Sequence, residues 1–376
     1  MSKEHSSITP FQLFFFVVKA ELGVGILSLP AAVYGFAKQD GWISILLTGC
    51  FCILCILLYS LLFNRFENMN ILDICRYLFG KWAMKLCAAA YAIYFILASF
   101  IISFGYMASM RRWILLSTPQ WLVFLILMMF GLYFGKESLR NVASLCQFAF
   151  WFTFLLFFFS LGGFKHADWN YLLPIQEIKI IDIMKGVYGS ILSFFGFESL
   201  LIIWPFVKGV NKKKIKAAIF STLFVTFTFL YITILCTVYF SGNEIKTIVE
   251  PTLFLLKSLT LYGIIERLDL IFLSVWVIMS IASSIIYLHL ANSAMGYLFE
   301  EKENKEKKNK KNINRIMFII VFLLGGFLPQ TKGIIDPLTK IFNFSAILFA
   351  IVIPLYLLVH SFLFKKKRLN ERESHE

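Results

Sequence analysis

The chain has 376 residues, of which 59% are hydrophobic and 18% aromatic, with 43 Phe, a formal net charge of +14 and a mean hydropathy of +0.77. A soluble domain cannot solvate that much apolar surface, and repeated runs of about 20 mostly apolar residues identify a polytopic α-helical membrane protein. The positive charge falls in loops between those runs, so it reports topology rather than a nucleic-acid partner.

About ten spans are predicted. The first, residues 10–36, carries Lys19 and Glu21 inside the apolar run, then Gly23, Gly25 and Pro30. In lipid every backbone amide needs a partner, so a glycine-loosened break at mid-depth survives only where protein or a water-filled cavity satisfies it. Unwinding near Gly23 and Gly25 exposes a helix N-terminus at Ile26 to Leu29 and carbonyls before it. Those ends attract an anion and a cation respectively, and a zwitterion carries both. The same glycines would also let another helix pack closely.

The second span is residues 41–63, the third 82–110, the fourth 120–134 and the fifth 142–163. After a polar connection, 165–182, the sixth occupies 184–207, interrupted at Phe195-Gly196-Phe197-Glu198-Ser199 and closed by Trp204-Pro205. The seventh is 215–240. An amphipathic segment led by Pro251, 251–265, is too short to span and suits a helix lying over an outer vestibule. The eighth is 268–298, the ninth 316–328 and the tenth 338–364, with a kink expected at Pro354.

Each half of the chain therefore opens on a span with a glycine-containing break followed by a proline. This predicts an all-α membrane protein built as a single domain over residues 1–376, with inverted five-helix repeats at 10–163 and 184–364 and a basic tail at 365–376. An N-terminus inside puts the larger share of Lys and Arg on the cytoplasmic side, including Lys212-Lys213-Lys214, the 302–315 loop and Lys365-Lys366-Lys367-Arg368. Both termini are then cytoplasmic, and the basic tail meets anionic membrane lipid.

The seven cysteines lie nearly all within spans. Cys50, Cys52 and Cys55 share a helix with no His or carboxylate, so they read as small packing residues, and no metal or cofactor is expected. Residues 2–7 are short and polar, and the apolar run after them is too long and charge-bearing for a signal peptide, so the first span is expected to stay in the mature protein. No hydrolase, kinase or dinucleotide motif stands in a strand-turn-helix context, so the chain is not read as an enzyme and no catalytic residue is assigned.

Three stretches together resemble a known family. Gly23-Val24-Gly25-Ile26-Leu27-Ser28-Leu29-Pro30, then Asp40-Gly41-Trp42-Ile43-Ser44, then Glu266-Arg267-Leu268-Asp269 ahead of Trp276, are similar to the B subunits of bacterial spore germinant receptors. The resemblance covers residues 8–364. It implies membership of the amino acid-polyamine-organocation superfamily and its LeuT-like fold with broken first and sixth helices. It also implies a nutrient-sensing protein of the spore inner membrane, working beside A and C receptor subunits.

In the proposed site an amino-acid carboxylate meets the amides of Gly25, Ile26 and Leu27. Its ammonium meets carbonyls near Leu22 and Gly23 or around Phe195, Gly196 and Phe197. Glu198, inside a span, must face the bundle interior, as a ligand or gating group, a partner of Lys19 or a backbone cap. Lys19 and Glu21, two residues apart, point to nearly opposite sides and cannot simply neutralise each other, so they either carry coupling or lock the bundle.

From other helices, Ser103, Tyr106, Ser280, Ser283, Ser284 and Tyr287 are candidates for the cavity wall. Adjacent Ser283 and Ser284 are reminiscent of sodium sites in related transporters, but interhelical hydrogen bonding explains them equally. His289 reads as a packed polar residue. Glu266, Arg267 and Asp269 either form an interfacial anchor or latch the Pro251 segment. The preferred reading is a receptor that binds a small germinant between the first, third, sixth and eighth helices. A proton- or sodium-coupled amino acid permease, or a conduit gated by the pocket, uses the same residues.

Overall fold

The structure is a computed structural model and describes residues 7–134, 137–175, 179–260, 266–298, 325–327 and 332–373. The described residues form helices throughout, joined by short turns. Six helical stretches among them are long and apolar enough to cross a membrane, and the bent pair Ile180–Phe194 and Phe197–Phe206 adds a seventh. Most of the ninth span predicted from sequence lies outside the described residues.

Helix α1 (Pro10–Glu21) begins at a capping box: the Thr9 hydroxyl accepts the Gln12 amide at 3.2 Å and the Gln12 side chain accepts the Thr9 amide at 3.0 Å. The helix ends where the first glycine arrives. A 3₁₀ turn, Val24–Leu27, follows, and α2 (Leu29–Ala37) resumes with Pro30 in its first turn, where a missing N–H costs nothing. In a continuous helix Pro30 would leave the Ile26 carbonyl without a donor; here the Thr252 hydroxyl supplies one at 2.8 Å. Lys38, at φ +45°, turns the chain into α3 (Gly41–Arg65).

Helix α4 (Ile71–Phe79), not predicted from sequence, follows, and then three helices expected in outline: α5 (Lys81–Trp113), α6 (Gln120–Phe134) and α7 (Leu139–Phe150). The predicted fifth span falls within one apolar stretch, Leu139–His166, in which Trp151 and Phe152 form a turn between α7 and α8 (Thr153–Ser160).

The second broken span comprises α9 (Ile180–Phe194), extended Phe195, a 3₁₀ turn Phe197–Ser199 and the short α10 (Leu200–Ile203), with a bend of 52°. Gly196 sits at φ +147°, open only to glycine, and a Cβ there would overlap the Ala20 carbonyl carbon and the Glu21 amide. The two breaks therefore touch backbone to backbone. Their far ends are also joined, since the Ile8 amide donates to the Phe206 carbonyl at 3.0 Å and the Lys208 amide to the Ile8 carbonyl at 2.8 Å.

Beyond it lie α11 (Asn211–Tyr239), α12 (Gly242–Thr247), α13 (Pro251–Ser258) and α14 (Leu268–Gly296). The Lys214 amine near the start of α11 donates to the Trp204 carbonyl at 3.2 Å, closing the end of the second broken span. Helix α15 (Lys332–Ile347) passes through a π turn, Leu348–Val352, into α16 (Ile353–Glu373). Pro354 cannot return a hydrogen bond to the Ala350 carbonyl, and the Tyr59 hydroxyl takes that place while Tyr91 serves Phe349 at 2.8 Å. The π turn stands directly before Pro354, where a kink was expected. Helix α5 packs along α14, α1 lies against α11, α7 and α14, and α2 and α3 lie against α9.

Candidate functional site

The first break borders a cavity of about 280 Å³ lined by the broken span, α5, α9, α14 and α15. Gly23, Val24, Gly25 and Ser28 form its polar edge, with Ser193 opposite. Val24 and Gly25 are the first residues of the 3₁₀ turn, so their amides have no acceptor within it. Ile101, Ile102, Leu192, Phe195 and Phe342 make the rest of the wall mainly apolar. A cavity with few convergent polar groups on an apolar wall is the usual form of a small-molecule site. Gly25 fits tightly: a Cβ there would lie 2.6 Å from the Ser193 hydroxyl.

Four of the residues proposed from sequence as ligand contacts line this cavity: Gly23, Gly25, Phe195 and Tyr287. The others are placed around it. Ile26 and Leu27 are buried on the far side of the turn, and Gly196 and Phe197 face α1 and Tyr59. Ser103 and Ser284 bond each other at 2.8 Å, and Ser99 joins Ser284 at 2.7 Å, so these hydroxyls stitch α5 to α14. The Ser283 hydroxyl donates to the Lys19 carbonyl at 2.7 Å. Tyr106 donates to the Leu273 carbonyl at 3.1 Å, whereas the buried Ser280 hydroxyl has no hydrogen-bond partner. His289 is half-buried in α14 and is not part of the cavity wall.

Glu198 is fully buried and fully engaged. One oxygen accepts the Gly196 amide at 2.7 Å; the other accepts the Tyr94 hydroxyl at 2.8 Å and the Tyr287 hydroxyl at 3.2 Å. Of the alternatives left open by sequence, a backbone cap is what the geometry shows, extended by two phenols from α5 and α14. Tyr287 belongs to both systems, since its ring lines the cavity while its hydroxyl holds Glu198.

Lys19 and Glu21 reach different helices, as a spacing of two residues requires. The Lys19 ammonium lies 3.5 Å from the Leu22 carbonyl and 2.9 Å from the Met279 sulfur of α14. Glu21 accepts the Thr222 hydroxyl of α11 at 2.7 Å, its second oxygen is buried without a partner, and the residue contributes to the cavity wall.

Arg267 and Asp269 pair with each other through two bonds at 3.0 and 2.9 Å in the first turn of α14, and Glu266 is exposed. Among the described residues no hydrogen bond joins them to α13. Glu250, unremarked in the sequence, ties the start of α13 to α5: it accepts Ser109, Arg112 and Trp113 at the end of α5, and Thr252 then caps the first break. Ser193, Thr339 and Phe342 were likewise not singled out from sequence, because the wall is assembled from helices far apart in the chain.

A family profile described as spore germination protein matches residues 7–332. Spore germination protein GerQB of Bacillus cereus is 28% identical over 269 residues, covering 72% of this chain and 74% of the relative. Spore germination protein A2 of Bacillus subtilis is 29% identical over 299 residues, 78% of this chain and 80% of the relative. Among solved structures, a Na⁺-coupled sialic acid symporter in a substrate-bound outward-open state superposes with a TM-score of 0.70 at 11% identity, covering 93% of this chain and 78% of that one. That likeness establishes the LeuT-like fold. Family and fold are those of permease-like, multi-pass membrane proteins rather than of enzymes.

Proposed function

The chain belongs to the spore germination protein family, and from that premise we propose that it is the B subunit of a spore germinant receptor. It binds a small germinant, an amino acid or a metabolite of that size, in the cavity beside the first break. The observation that carries this reading is the cavity of about 280 Å³ at the broken span, with the leading amides of a 3₁₀ turn on its edge and an apolar wall. Amides at a helix N-terminus favour a carboxylate, and the carbonyl end of α1 beside Glu21 favours an ammonium.

Binding shifts the bundle by the difference in the ligand's affinity for its states. Tyr287 is the contact through which occupancy reaches Glu198 and the second break. The protein sits in the spore inner membrane with both termini cytoplasmic, and A and C subunits read the shift.

The test is germination of spores carrying Gly25→Ala against a nutrient panel, with subunit levels checked by immunoblot and amino-acid uptake measured in growing cells. The Cβ that would crowd Ser193 is expected to raise the half-maximal concentration of one nutrient about tenfold or more. An unchanged nutrient response with reduced uptake would make the chain a coupled amino acid permease instead.

A further inference from the structure

Two of the seven cysteines, outside the Cys50, Cys52 and Cys55 group, meet where the chain passes from one span to the next. Helix α4 starts at Asn70, whose side chain accepts the Leu72 and Asp73 amides at 3.0 and 2.9 Å, and it buries Ile71, Leu72, Ile74 and Cys75 on one face. It ends on Gly80, at φ +88°, and α5 begins at the next residue and packs against it. Cys75, on the buried face of α4, and Cys87, in the second turn of α5, stand with their sulfurs 3.5 Å apart. Both thiols are free, and among the described residues they are the only two within hydrogen-bonding distance of each other. Cys75 is buried and Cys87 half-buried, so a small oxidant reaches the pair from the Cys87 side.

Helix α4 links α3, which lies against α9 and α11, to α5, which lies along α14. It is also tied to the ends of two later helices. The Asn70 side chain donates to the Tyr297 hydroxyl just past α14 at 2.7 Å, and Phe79 stacks on Tyr356 of α16 with ring centroids 6.0 Å apart. We propose that Cys75 and Cys87 are a reversible dithiol–disulfide site that, once oxidised, locks α4 to α5 and stiffens this link. Hydrogen peroxide converts one thiol to a sulfenic acid with release of a water; the other sulfur attacks it, the S–S bond forms and a second water leaves. The two sulfurs together lose two electrons, which the peroxide takes up. Two molecules of a small thiol reverse the step and leave as their own disulfide. Closing the bond draws the sulfurs in to about 2.05 Å, so α4 is held to α5 by a covalent bond where there was only contact. This holds whatever the cavity at the first break binds.

The experiment treats the purified full-length protein with a small excess of hydrogen peroxide, with and without later reduction by dithiothreitol, and follows it by tryptic mass mapping and thermal unfolding. Trypsin cuts after Arg76, Lys81 and Lys85, between the two cysteines, so a bond between them joins two separate peptides. Wild type is expected to give that linked pair, two hydrogens lighter than the two peptides together. It is expected to unfold several degrees higher when oxidised and to return to its starting temperature on reduction. Cys75→Ser and Cys87→Ser are expected to show neither the linked pair nor the rise. Peroxide that leaves both cysteines as thiols, carries either to the sulfinic acid without a link, or links either to a different cysteine overturns the proposal. So does a bond between Cys75 and Cys87 that leaves the unfolding temperature unchanged or lower. The wild-type measurements decide the matter even if a serine variant fails to accumulate.

Discussion

The two interrupted spans start from similar sequence material, a glycine-bearing stretch with a carboxylate nearby and a proline beyond, and they finish in opposite conditions. At the second break Glu198 accepts three hydrogen bonds and Gly196 rests against the backbone of α1, so its carboxylate is satisfied and its glycine leaves no space, while the buried Ser199 hydroxyl has no partner. At the first break the glycines leave a cavity of about 280 Å³, and Glu21 keeps one oxygen unpaired. A glycine break is therefore not by itself a binding site. What its carboxylate is bonded to decides whether it becomes a hollow or a closed joint.

The comparison breaks most readily at Gly196. Gly196→Ala combines positive φ with overlap against Ala20 and Glu21, and is expected to cost about 3 kcal/mol or more. Immunoblot of membranes and thermal unfolding should show loss of folded protein, whereas near-normal stability would mean that the breaks are not in contact.

Glu198→Gln keeps the shape but provides only one acceptor oxygen for the Gly196 amide and two phenols. Destabilisation of about 1–3 kcal/mol is expected. A double-mutant cycle with Tyr94→Phe should give a coupling of about 0.5–2 kcal/mol, and additivity of the two would show that the joint is not a network. Gly25→Ala should cost less stability than Gly196→Ala, because the Ser193 hydroxyl can turn away and its Cβ and Cα, at 3.0 and 3.3 Å, need give only slightly, while the nutrient response moves. Equal losses of stability at Gly25 and Gly196 would erase the contrast. Thr252→Val, which removes the donor to the Ile26 carbonyl, should cost about 1 kcal/mol in unfolding measurements.

Much of the architecture was legible because its causes are local. Glycines and prolines punctuate both broken spans, and the spacing of Lys19 and Glu21 forbids a shared partner. Intramembrane Glu198 had to face inward on energetic grounds alone. Its partners were not legible, since Tyr94 and Tyr287 stand 104 and 89 residues away. The turn at Trp151 and Phe152 has no glycine or proline to announce it, so the fifth span read as continuous. The latch at Glu250 was missed for a similar reason, as its partners lie at the end of α5.

The most direct test of the central claim is ligand-dependent stability of the purified full-length protein with a panel of L-amino acids, comparing wild type, Gly25→Ala and Thr252→Val. If the cavity at the first break is the binding site, at least one amino acid raises the unfolding temperature of wild type and of Thr252→Val in a saturable way, and Gly25→Ala loses that rise. A rise of equal size in Gly25→Ala, at the same ligand concentrations, would place the binding site elsewhere and contradict the account.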